Sequence, residues 1–123
     1  MSIVRLHDCP LDPEDVALAL RAIANGLRGC PGVLRAILFG SAARGAMTAA
    51  SDLDVFVIVS HGIRSRDVRQ YLPRPIAPIP VDLIVVEQEE FEKRRLIGGV
   101  CMEADRDGTE IYPIFVFPKK AQI

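Results

Sequence analysis

Residues Leu38 to Val59 read LFGSAARGAMTAASDLDVFVIV, two apolar runs separated by small residues, with two aspartates opening the second run. Over Leu53 to Val59 the alternation predicts a strand with Val55, Val57 and Val59 on one face and Asp54, Phe56 and Ile58 on the other. Asp52 lies two residues before Asp54 and so shares its face. Two neighbouring carboxylates repel, and the pair becomes favourable when a hard divalent cation sits between them. Magnesium prefers oxygen ligands and commonly takes one or two carboxylates together with substrate phosphates. A strand-start cap beside a solvated acid is the plainer reading of the same residues, but the flanking apolar run would then bury Asp54 without compensation.

Working outward, Val33 to Phe39 is a short branched-residue run, expected to be a buried strand and ended by Gly40 and Ser41. Glycine at a strand-to-loop junction lets the backbone approach a ligand closely, and N–H groups there with the Ser41 hydroxyl can cradle phosphate oxygens. Arg44 could add a charge-assisted contact to those phosphates, although a solvated loop arginine is the commoner case. Val81 to Val86, VDLIVV, is expected to form a third strand carrying one acid, Asp82, in apolar company. If this strand neighbours the second in register, three carboxylates meet. An ion pair with Arg74 is the structural alternative for Asp82.

Asp12 followed by Pro13, Glu14 and Asp15 signals a helix start, and Val16, Leu20, Ile23 and Leu27 give it an apolar stripe ending near Gly29. Ser65 to Leu72 is expected to make one or two helical turns, and the prolines from Pro73 to Pro80 a connector. Glu89 to Asp105 reads as a mainly charged helix with Phe91, Leu96 and Val100 facing the core, weakened by Gly98 and Gly99. Glu110 to Phe117 reads as a last strand interrupted by Pro113.

With 123 residues, half of them hydrophobic and a quarter charged, the chain has the size and composition of one domain with a real core. A net charge of -1 argues against strong nucleic-acid binding through phosphate neutralisation. Cys9, Cys30 and Cys101 match neither a disulfide framework nor paired zinc ligands and are read as reduced thiols. His7 and His61 stand apart from any metal-like grouping. Met1 to Pro10 lacks the apolar run of a signal peptide and no membrane-length apolar segment occurs, so a cytoplasmic location is expected.

Gly40-Ser41, then ten residues, then Asp52-Leu53-Asp54 resembles the signature of the polymerase-beta-like nucleotidyltransferase superfamily. Such a pattern arises by chance in roughly one chain in a thousand of this length. The size and the GSAARG form resemble the minimal nucleotidyltransferase (MNT) subgroup, often the antitoxin of MNT–HEPN toxin–antitoxin pairs. The specific part spans Ile37 to Val86.

The resemblance implies an α+β fold, a mixed β-sheet with flanking helices, in a single minimal domain over residues 1–123. It implies two Mg2+ ions (Mn2+ as substitute) at Asp52 and Asp54, with Asp82 joining the second metal and activating the acceptor. Gly40 and Ser41 would bind phosphate, and ATP would be the substrate. The expected reaction moves AMP to a hydroxyl, within this subgroup a tyrosine of a HEPN toxin partner. Two alternatives stay open: a binding-only antitoxin or regulatory subunit, and the catalytic half of a two-chain small-molecule nucleotidyltransferase. Exposed apolar surface on so small a domain would be covered by a partner or by self-association.

Overall fold

The computed structural model describes residues 13–40, 53–72 and 81–114. The first helix, α1 (Pro13–Gly29), carries Glu14 and Asp15 in its first turn and Arg28 in its last, as the helix dipole favours. Its expected N-cap, Asp12, lies outside the described residues. Then follow β1 (Val33–Phe39), β2 (Leu53–Val59), the short α2 (Ser65–Arg69), β3 (Val81–Glu87), α3 (Gln88–Arg94), α4 (Val100–Asp107) and β4 (Thr109–Tyr112).

The strands form one mixed sheet in the order β3-β2-β1-β4, with β1 antiparallel to both β2 and β4, and β2 parallel to β3. The parallel pair needs a crossover, and the chain between β2 and β3 includes α2. A salt bridge from Arg35 to Glu110 at 3.0 Å ties β1 to β4.

Both faces of the sheet are covered, which is why β1 and β2 read as nearly continuous apolar runs. On one face Ala36, Leu38, Val55, Val57 and Val59 are buried together with Leu20, Ile23 and Leu27 of α1, the helical stripe expected from sequence. On the other face Ile37, Phe39, Phe56 and Ile58 pack with Phe91 of α3 and with Cys101 and Ala104 of α4.

Two expectations change at the carboxy-terminal side. Glu89 to Asp105 is not one helix: the chain leaves α3 after Arg94 and restarts at Val100, with Gly98 at φ 132° and Gly99 at φ 78°. These conformations are inaccessible at low cost to residues with a Cβ, and they turn the chain. The turn moves the core positions. Phe91 is buried as expected, but Leu96 and Val100 are exposed, and Cys101 and Ala104 take the inner places. The last strand ends at Tyr112, before Pro113, which has no N–H to donate to a ladder; the remainder of the expected run from 115 lies outside the described residues. Among the described residues no helix is long and apolar enough to cross a membrane.

Candidate active site

Three of the residues singled out from sequence meet at one end of the sheet. In β2, Asp54 continues the face occupied by Phe56 and Ile58; in β3, Asp82 continues the face of Ile84 and Val86. The parallel register sets Asp54 directly against Asp82. Neighbouring strands lie about 4.8 Å apart, so the two carboxylates emerge side by side from adjacent backbones. Asp54 is half-buried and Asp82 exposed at the sheet edge.

Gly40 completes this corner. On the other side of β2, Asp54 pairs with Phe39, which brings the end of β1 to the acid. A Cβ placed on Gly40 would fall 2.5 Å from Asp54 Oδ2, and Gly40 has φ +75°. Glycine is therefore required twice, for its backbone conformation and for the room it leaves the carboxylate. The end of β1 is thus pressed against one of two adjacent acids, and adjacent carboxylates can serve as a cation platform.

The floor beneath the corner is aromatic. Phe39 meets Phe56 edge-on at 5.9 Å between ring centroids, and Phe56 meets Phe91 at 5.6 Å. Such contacts fix ring positions beyond simple burial and hold the strand segment that carries Asp54. The floor was not identified from sequence, although Phe39 and Phe56 each stand next to a motif residue or two positions from one and Phe91 was expected in the core; that Phe91 meets Phe56 is set by the packing of α3 on the sheet.

Asp52, Ser41 and Arg44 lie outside the described residues, as do Arg74, His7 and Cys9. Among the described residues no three acidic, histidine or cysteine side chains form a metal cage. Two adjacent carboxylates do match the chemistry of magnesium, which keeps several coordination positions for water and phosphate oxygens. His61 is at the opposite end of the sheet, with Nδ1 3.1 Å from Glu87 Oε2, and Gly62 N–H donates to the same oxygen. That pair lines an open cleft of about 420 Å³ with Ser60, Gln88, Glu89, Glu90 and Lys93.

Cys30 and Cys101 are buried free thiols. Burial raises the Cys30 thiol above the ordinary value of 9.0, with Asp67 adding to the rise. Burial likewise raises Cys101, opposed by Arg94 and reinforced by Glu90. Neither thiol has the depressed pKa of a nucleophile.

The family model described as a nucleotidyltransferase domain matches residues 20–104, which takes in the second half of α1, Gly40, both acids and α3. Among solved structures, a candidate nucleotidyltransferase from Sulfolobus solfataricus superposes with a TM-score of 0.54 at 20% identity, covering 84% of this chain and 86% of that one. At that identity the likeness is one of fold. No curated protein gives a significant match. With the family model spanning most of its length and both acids and Gly40 in one corner, the chain belongs to the nucleotidyltransferase domain family.

Proposed function

We propose that this protein is a magnesium-dependent nucleotidyltransferase that moves AMP from ATP to a protein hydroxyl, a tyrosine of a HEPN toxin partner, and so acts as a cytoplasmic antitoxin. The observation that carries the reading is the pairing of Asp54 with Asp82, with Gly40 against the Asp54 carboxylate, in a chain of this family. Magnesium, when bound, supplies the positive charge that lets these carboxylates and a triphosphate share one corner.

In this reading Asp54, with Asp52, holds the metal side of the nucleotide, and the backbone at Gly40 and Ser41 donates hydrogen bonds to phosphate oxygens. Arg44 adds charge to the same phosphates. Asp82, exposed at the edge where an acceptor can approach, takes the proton of the acceptor hydroxyl. The hydroxyl oxygen attacks the α-phosphorus in line, a new P–O bond forms, the bond to the bridging oxygen breaks and pyrophosphate leaves.

The test is transfer of label from α-labelled ATP, with magnesium, to the purified product of the adjacent gene. Label on that protein with wild type and none with Asp54→Asn supports the reading; equal label with both removes Asp54 from the chemistry. A binding-only antitoxin is favoured by one observation, the exposed apolar turn at Leu96 and Ile97, and predicts that Asp54→Asn still neutralises the partner in cells.

A further inference from the structure

The cations of this chain are not distributed evenly with respect to its acids. On α3 and α4 each has a carboxylate of its own: Lys93 with Glu89 at 3.5 Å, Arg94 with Glu90, Arg95 with Glu92 at 2.9 Å, and Arg106 with Asp107 at 3.3 Å. Arg28, Arg64, Arg66 and Arg69 are exposed, and among the described residues no carboxylate pairs with any of the four guanidiniums. Arg69 Nε donates only to the neutral Ser65 hydroxyl, at 3.3 Å. The sequence accounts for the imbalance: no acid occurs between Val16 and Ser51, and Asp67 is the sole acid between His61 and Val81. Asp67 Oδ2 accepts the Arg64 backbone N–H at 2.9 Å. A net charge of -1 for the whole chain averages over this segregation.

The four arginines share one surface because α2 packs on the end of α1. Cys30 Sγ, just past α1, donates to the Asp67 carbonyl oxygen at 3.9 Å. A Cβ on Gly26 would collide with the Tyr71 carbonyl oxygen, and one on Gly29 would fall 3.9 Å from Tyr71 Cδ1. The Tyr71 ring therefore lies along the last turn of α1, the turn that carries Arg28. Arg66 and Arg69, three residues apart, share the side of α2 away from buried Val68, and Arg64 directly precedes this helix. Tyr71 is 43% exposed among these charges. This end of the sheet is remote from the acid pair: α1 leads to Val33, which pairs with Val59, and Val59 is five strand residues, about 16 Å, from Asp54.

Unmatched positive charge calls for an anion, and the residue types narrow it. All four cations are arginines, whose planar forks match phosphate oxygens in pairs and stack on flat rings. An exposed tyrosine among them adds a platform on which an unstacked base can lie. An acidic protein segment would engage the charges and leave the ring idle, and a duplex would keep its bases stacked out of reach.

We propose that Arg28, Arg64, Arg66, Arg69 and Tyr71 form a binding surface for a single-stranded nucleic acid, the arginines holding phosphates and the tyrosine a base. The surface is separate from the acid pair and does not depend on the reaction proposed there.

The experiment measures fluorescence anisotropy of a labelled oligouridine RNA of about 12 nucleotides against the full chain, over a series of salt concentrations. Wild type is expected to bind with a Kd on the order of 10 µM at low salt, and four phosphate contacts set the slope of log K against log salt at about -2.8. Arg66→Gln/Arg69→Gln is expected to lose at least tenfold in affinity at low salt and to halve the slope to about -1.4. Lys93→Gln/Arg94→Gln removes the same net charge from α3 and is expected to stay within about twofold of wild type. Tyr71→Leu, which keeps apolar contact with Gly29, is expected to lose about tenfold with the slope unchanged. The arginine variants alter only exposed side chains, so they decide the matter should Tyr71→Leu fail to fold. No binding by wild type at low salt overturns the proposal, as does an equal loss from the two charge variants, since net charge would then account for it. Equal affinity for the same RNA in a duplex overturns it as well. Binding of polyglutamate as tight as that of the RNA, indifferent to Tyr71→Leu, overturns it in favour of an acidic protein partner.

Discussion

At the scale of single residues Gly40 lies against the Asp54 carboxylate, and substituting each of them separates geometry from charge. Asp54→Asn keeps the shape of the side chain, so label transfer is expected to fall by a hundredfold or more while the melting temperature moves by only a few degrees. Gly40→Ala should cost about 1–2 kcal/mol for its left-handed backbone, and it also drives a methyl into Asp54 Oδ2. Gly62 shares a positive φ of 88° but has open space around it. Gly62→Ala should therefore show a similar loss in urea unfolding with transfer intact, whereas Gly40→Ala loses both. Equal transfer by the two glycine variants would show that contact with Asp54 is irrelevant. The acids were legible in the sequence because strand alternation fixes which residues share a face, and the Gly-Ser to Asp spacing pointed to the same corner. The steric reason for Gly40 was not legible, since it depends on a carboxylate from another strand.

At the scale of elements, the division of the charged carboxy-terminal segment into α3 and α4 decides what is core and what is surface. Phe91 is buried against Phe56, so Phe91→Ala is expected to destabilise by about 3–5 kcal/mol in urea unfolding. Leu96→Ala should change stability by less than about 0.5 kcal/mol, because Leu96 lies on the open turn. A continuous helix with Leu96 in the core would make the second loss resemble the first. The helical period over Glu89 to Asp105 held only as far as Arg94. Two consecutive glycines were visible as a weakness, but the direction in which they turn the chain follows from their φ values and from the face that Cys101 and Ala104 bury.

For the molecule as a whole, alkaline stability reports on the two cores, since Cys30 belongs to one and Cys101 to the other. Both thiols hold their protons more tightly in the folded chain than in the unfolded one, chiefly through burial. Their contribution is complete below the ordinary thiol value of 9.0 and is lost as pH rises beyond it toward the raised folded values. Urea midpoints should fall from pH 9 upward, and Cys101→Ala should flatten that fall while lowering the plateau. In native buffer a thiol reagent should leave Cys30 and Cys101 unreacted until denaturant is added. The sequence by itself determined the ends and faces of α1, β1 and β2 and the presence of β3, because apolar periodicity is a local record of which side is buried. It also put Asp54 on the face of Phe56 and Ile58, because strand alternation needs no long-range information to assign a face. Only the tertiary structure decided that β3 lies parallel to β2 with Asp82 against Asp54, and that Leu96 and Ile97 stand in the open. Pairing and register are set between segments far apart in the chain, by the need to cover both faces of one sheet, and no local pattern encodes them.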